Sequence, residues 1–192
     1  MRRALAFSVV AVGLGLVAAS AAVLGMRPPA KPQEIHPLWS EAKWPFPIDQ
    51  WGTGRAFVCQ PADCGIKVDV YLRPKIGYCN CATGVSDDAE LERVSDNELV
   101  TRKSRPREAG RPIKVGWMDG RSRAYWASDG EVGEGLLSFA FNDECDVVVA
   151  LARIGDGDPV TLQPAILAFL NTKDMVLWTK KELGLEFVRR DW

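Results

Sequence analysis

Leu136-Leu137-Ser138-Phe139-Ala140-Phe141, then Asn142-Asp143-Glu144, then Cys145-Asp146-Val147-Val148-Val149-Ala150-Leu151 read in order as a strand, a turn and a second strand. Val147 to Leu151 is apolar without alternation, as a central strand should be. Upstream, Ile113-Lys114-Val115-Gly116-Trp117 and Arg123-Ala124-Tyr125-Trp126 read as two more strands, joined across Asp119-Gly120, a dipeptide suited to hairpin turns. Further upstream, Ala56-Phe57-Val58-Cys59 and Lys67-Val68-Asp69-Val70-Tyr71-Leu72-Arg73 alternate as half-buried strands do, with Gln60-Pro61-Ala62-Asp63 as the turn. Arg73-Pro74-Lys75 reads as a second turn, leading into Ile76-Gly77-Tyr78-Cys79 to complete a small meander.

Helices are expected in three places. Ser86 can cap a helix whose first turn holds Asp87 and Asp88, at the positive end of the dipole, and Ser95-x-x-Glu98 is a capping box for a second short one. Pro164 suits a first turn, and Ala165, Ile166, Phe169 and Leu170 give the helix after it an apolar stripe. Thr172 can cap a last helix that Gly184 stops, leaving Leu185 to Trp192 as a short strand or tail. Sequential hairpins without alternating strand–helix units predict an α+β fold: an antiparallel sheet of about five to seven strands with helices packed on one face.

The N-terminus sets the compartment. Arg2 and Arg3 precede a run of 23 residues without charge, 4–26, which Arg27 closes. A spanning helix needs about 20 apolar residues. The same run fits a secretory signal peptide, with Ala19-Ser20-Ala21 as a cleavage site. Anchor or signal, it predicts an N-terminal hydrophobic helix over 1–26 and an extracytoplasmic, periplasmic domain, membrane-anchored or secreted. Residues 27–50, with Pro28, Pro29, Pro32, Pro37, Pro45 and Pro47, read as a stiff linker. Residues 51–192 form the folded domain. Trp39, Trp44 and Trp51 punctuate the linker, and folding back onto the domain would relieve three solvated indoles.

The 192-residue chain is 47% hydrophobic and 26% charged, the composition of one globular domain with a core. That excludes disordered, collagen-like, coiled-coil and multi-span membrane classes. The net charge of −1, or −3 without Arg2 and Arg3, advertises no nucleic-acid partner. Charge is segregated locally instead: six acids against one arginine in 86–98, and eight bases against two acids in 102–123. Arg102, Lys103, Arg105, Arg107 and Arg111, with the three tryptophans, are the candidate interaction surface, able to meet anionic headgroups, an acidic protein face or the acidic helix of the chain itself.

Four clustered cysteines, Cys59, Cys64, Cys79 and Cys81, are disulfide candidates in an exported chain, with three possible pairings, of which Cys79–Cys81 closes a strained ring. Cys145 leads into the central strand and reads as an inert core thiol. The alternative for the cluster is a thiolate metal site, binding zinc or Cu(I), or a redox function. The spacing matches neither paired Cys-x2-Cys nor a Cys-x-x-Cys motif.

His36, the one histidine, sits in the linker, and there is no Gly-x-Ser-x-Gly elbow or Walker loop. Gly52-Thr53-Gly54 reads as a plain loop, and Asp156-Gly157-Asp158 lacks the later ligands of a calcium loop. No cofactor is expected. The sequence thus predicts a non-enzymatic accessory or interaction subunit that contacts another membrane or envelope protein. Its alternative is a thiol-dependent metal-delivery or redox protein.

Overall fold

The computed structural model describes residues 37–127, 134–155 and 157–185. The apolar run 4–26, its cleavage site, His36, Asp156 and the tail after Leu185 lie outside the described residues. Among those described, no helix is long and apolar enough to cross a membrane.

Among the described residues, eight antiparallel strands form one sheet, with helices against both of its faces. The strands are β1 (Trp39–Ala42), β2 (Arg55–Cys59), β3 (Val68–Lys75), β4 (Ser104–Pro106), β5 (Arg111–Val115), β6 (Met118–Ala127), β7 (Gly135–Asp143) and β8 (Asp146–Ile154). Their spatial order is β1-β2-β3-β8-β7-β6-β4, and β5 also pairs with β6. The helices are the four-residue turn α1 (Pro61–Cys64), α2 (Asp88–Val94), α3 (Pro159–Leu170) and α4 (Lys173–Glu182), with a 3-10 turn at Asn97–Leu99.

The β7–β8 hairpin at the centre of the sheet has the expected register, with Phe139 opposite Ala150 and Asp143 opposite Asp146. Its tight turn holds Glu144 at φ 51°, the left-handed region. On the first face, Val68, Val70 and Leu72 of β3, Leu137, Phe139 and Phe141 of β7, and Val148, Ala150 and Ala152 of β8 pack under Leu162, Ile166, Phe169 and Leu170 of α3. On the second face, Val147, Val149 and Ala140 pack with Leu91 and Val94 of α2.

Helices packed on one face therefore becomes helices on both. The physical reason is the unbroken apolarity of β8: once Val148 and Ala150 are under α3, Val147, Val149 and Leu151 still need cover. The strand count exceeds the expected five to seven because β1 comes from the stretch read as linker and β4 from the basic run. Trp39 to Ala42 pair with Cys59 to Ala56, so the linker reading does not hold for 39–42.

Two turns are displaced. β3 runs straight through Arg73-Pro74-Lys75, pairing with β8 as far as Lys75↔Val147, whereas β2 ends at Arg55↔Leu72. Pro74 therefore sits where one side of β3 has no strand to bond, the position a sheet tolerates for proline. Ile76-Gly77-Tyr78-Cys79 is then a loop and not a strand. The β5–β6 turn is Gly116-Trp117, with Gly116 at φ 59°, and Asp119-Gly120 lies inside β6. Gly120 is opposite Phe141, where a Cβ would lie 2.1 Å from the Ala140 carbonyl oxygen.

α3 begins at Pro159 and not at Pro164, because Asp158 accepts from the Val160 N–H and Pro159 fills the first helical position. α4 starts and ends where expected, with Gly184, φ 70°, just past its end, but Thr172 holds the N-cap position without a side-chain capping bond. In α2 the cap is Asp87, one residue after Ser86, accepting from Glu90. Ser95 ends that helix and does not cap the next turn: its hydroxyl donates to the Glu92 carbonyl.

Candidate functional site

Period-two alternation along β3 puts Tyr71, Arg73 and Lys75 on the second face of the sheet, beyond the reach of α3. Arg73 and Lys75 are buried, so each needs a countercharge. The 3-10 turn after α2 supplies it. Arg73 donates Nε to Asp96 Oδ2 at 2.7 Å and Nη2 to Oδ1 at 2.9 Å, and Lys75 Nζ lies 2.8 Å from Asp96 Oδ1. The loop before β2 supplies the second carboxylate: Arg73 Nη1 donates to Asp49 Oδ1 at 2.7 Å.

That loop is a strap folded onto the sheet by aromatic contacts. Trp44 and Phe46 meet Tyr71 edge-on at 6.2 and 4.8 Å, and Trp51 lies 4.6 Å from the Tyr78 ring. Asp49 organises the turn itself, accepting from the Trp51 N–H at 2.8 Å. Lys75 sits 5.8 Å from Trp51 and 5.4 Å from Tyr78, and Arg93 lies over Tyr78 at 4.8 Å. Cations on aromatic faces are stabilised by the ring quadrupole.

Strap, sheet, α2 with the 3-10 turn, and β4 enclose a groove of about 990 Å³. Arg73, Lys75 and Asp96 floor it, Trp51, Tyr78 and Tyr125 wall it, and Arg102, Lys103 and Arg105 stand at its exposed margin. The Tyr125 ring is 2% exposed and its hydroxyl is buried, with the Arg123 guanidinium 5.7 Å from the ring. Burial, with Glu92 adding to it, pushes that phenol up to about 12.

Burial also pushes the Lys75 ammonium below the ordinary lysine range, against the pull of Asp96. The Arg73 guanidinium is held above its usual range because Asp96 and Asp49 outweigh its burial. Lys75 also donates to the Val94 carbonyl at 2.7 Å and to that of Ser95 at 3.4 Å. With Asp96 this makes three acceptors for three N–H bonds. The nitrogen is thereby held as a cation with no lone pair to offer a substrate, so the floor suits recognition better than proton transfer.

The basic run is divided by the structure. Arg102, Lys103 and Arg105 line the groove. Arg107 pairs with Asp158 at the start of α3 and lies 4.8 Å from the Trp126 ring, while Arg111 pairs with Glu108 at 3.0 Å. The acidic helix does meet the basic segment: Asp88 pairs with Arg121, and Glu92 with Arg123 at 2.6 Å. The tryptophans are divided too. Trp39 stacks on Phe169 at 4.7 Å on the first face, whereas Trp44 and Trp51 belong to the strap. All three are half-buried against the domain, so they make no common surface.

The disulfides are Cys59–Cys64 and Cys81–Cys145, and Cys79 is a buried thiol. Cys145 and Cys79 exchange the roles read from sequence. The tight β7–β8 turn lifts Cys145 out of the core to face the loop after β3, and that loop buries Cys79 behind Cys81. A four-thiolate site is not assembled, since Cys59 and Cys64 bond each other and Cys81 bonds Cys145. Among the described residues no group of three or more His, Cys, Asp and Glu side chains is placed to hold a metal ion. Two disulfides fit an oxidising, extracytoplasmic compartment.

Sequence reasoning missed Arg73, Lys75, Asp49, Asp96, Tyr78 and Tyr125. Its one usable signal was the alternation Tyr71, Arg73, Lys75, which continues the strand through Pro74. No protein-family model and no curated protein matches the chain.

Proposed function

We propose that the protein is a non-enzymatic interaction subunit of the cell envelope, delivered by its apolar leader, whose groove receives a polar, charged segment of another envelope or membrane protein. The observation that carries the reading is the groove itself. About 990 Å³ of open space is floored by buried cations held by Asp96 and Asp49 and rimmed by the exposed Lys103 and Arg105. Paired and hydrogen-bonded cations are held in fixed positions, which favours binding a complementary surface.

The test is site-specific photocrosslinking of the full chain in intact cells, with the photoreactive residue at Lys103 on the groove and, for comparison, at Leu177 on α4 across the sheet. The reading expects a discrete adduct with an envelope protein from position 103 that weakens as salt rises and is absent from position 177. Equal labelling from both positions, or none from 103, would overturn it.

A further inference from the structure

The loop after β3 and the β7–β8 turn gather three cysteines into one knot. Cys81 is bonded to Cys145. Two residues upstream, Cys79 donates its backbone N–H to the Cys145 carbonyl at 3.1 Å and its thiol to the Glu144 carbonyl at 3.3 Å. That bond sets the backbone of Cys79 directly against the backbone of Cys145. Cys145 therefore has Cys81 bonded to its sulfur and Cys79 hydrogen-bonded to its backbone.

Neighbouring residues tie the backbone of the knot together. Gly77 N–H donates to Asp146 at 2.7 Å, Val85 N–H donates to the Asn142 side chain at 2.9 Å, and Asn142 in turn donates to the Glu144 carbonyl at 2.9 Å.

We propose that Cys79, Cys81 and Cys145 form a thiol–disulfide exchange site in which Cys145 alternates between two partners. The Cys79 thiol releases its proton to solvent, and its sulfur attacks the Cys145 sulfur. The Cys79–Cys145 bond forms as Cys81–Cys145 breaks, and Cys81 leaves with the electron pair and takes up a proton. One thiol and one disulfide enter and one of each leaves, so no oxidant or reductant is required.

The consequence is a change in which sulfur faces water. Cys79 is buried and Cys81 lies on an exposed residue, so exchange converts a hidden thiol into an accessible one, able to react with small disulfides or alkylating agents. Burial, together with Glu90 of α2 and Asp146 of β8, pushes the Cys79 thiol up to about 11, and Arg93 only partly opposes them. Cys81–Cys145 is the resting pair, and exchange accelerates as rising pH forms the Cys79 thiolate.

Disulfide mapping of the full chain, purified oxidised and quenched in acid, tests the site. In Cys81→Ser the expected product is a Cys79–Cys145 bridge with no free thiol. Cys79 and Cys145 both alkylated in the folded variant would overturn the proposal. A second measurement uses the unsubstituted protein, so that a folding failure of the variant decides nothing by itself. Held with a maleimide at pH 9, it should accumulate label on Cys81 together with the Cys79–Cys145 peptide. An intact Cys81–Cys145 peptide with Cys81 unlabelled would refute exchange.

Discussion

Arg73 grips Asp96 through two parallel hydrogen bonds of 2.7 and 2.9 Å, between side chains only 3% and 9% exposed. This contact ties β3 to the 3-10 turn and fixes the floor of the groove, while the same carboxylate also holds Lys75.

Removing that carboxylate should be severe. Asp96→Asn leaves two buried cations facing one another with only the exposed Asp49 to answer them. Losing one partner of a buried pair typically destabilises by about 3–5 kcal/mol. Urea unfolding of the variant against the parent measures it. A loss below about 1 kcal/mol would show that water enters the groove floor and screens the charges.

Gly120→Ala should destabilise by about 1–3 kcal/mol, the usual range for overpacking. The added methyl would meet the backbone of β7 at Ala140 and Phe141, which cannot turn aside as a flexible side chain could. Gly52→Ala places its methyl in open space, so any loss there reflects only its φ of 75°. Thermal unfolding of the two variants separates contact from backbone strain.

The disulfides should differ in weight. Cys81–Cys145 spans 64 residues and Cys59–Cys64 spans 5. By loop entropy the longer closure is worth about 4 kcal/mol and the shorter about 2 kcal/mol. Cys145→Ser, which leaves neither Cys79 nor Cys81 a partner across the knot, should therefore lower stability about twice as much as Cys59→Ser. Equal losses would place the stabilisation in native contacts and not in the unfolded chain.

Alkaline stability follows from two raised groups, Cys79 at about 11 and Tyr125 at about 12. Each holds its proton to higher pH when folded than when unfolded, so the stability it contributes is complete below about pH 9 and 10 respectively. It is lost as pH rises through the folded values. Cys79→Ala should flatten the decline between about pH 9 and 11, and comparison with the parent cancels the opposing contribution of buried Lys75. Parallel curves for the two proteins would contradict the assignment.

Much of the frame was legible in the residues because the signals were local. The β7–β8 hairpin, the end of α4 at Gly184 and the apolar stripe of α3 each depend on neighbours within a turn or a strand pair. Reading Arg73-Pro74-Lys75 as a turn was reasonable from its composition. Pro74 is tolerated in β3 only because β2 stops short of it, and that is a fact about a strand whose end lies nearly twenty residues away in sequence.

The one-dimensional pattern determined an antiparallel α+β domain and, through Val147 to Leu151, the strand at its centre. Cover on both faces of that strand came only with the tertiary structure. Periodicity reports which positions seek burial, and that is enough to choose strands, caps and turns. Which cysteine meets which, and which acid neutralises Arg73 and Lys75, was decided only when the sheet brought residues 49, 73, 75 and 96 together at one groove and 79, 81 and 145 into one knot. Such pairings depend on closing long loops, whose ends carry no mark in the chain of the partner they will meet.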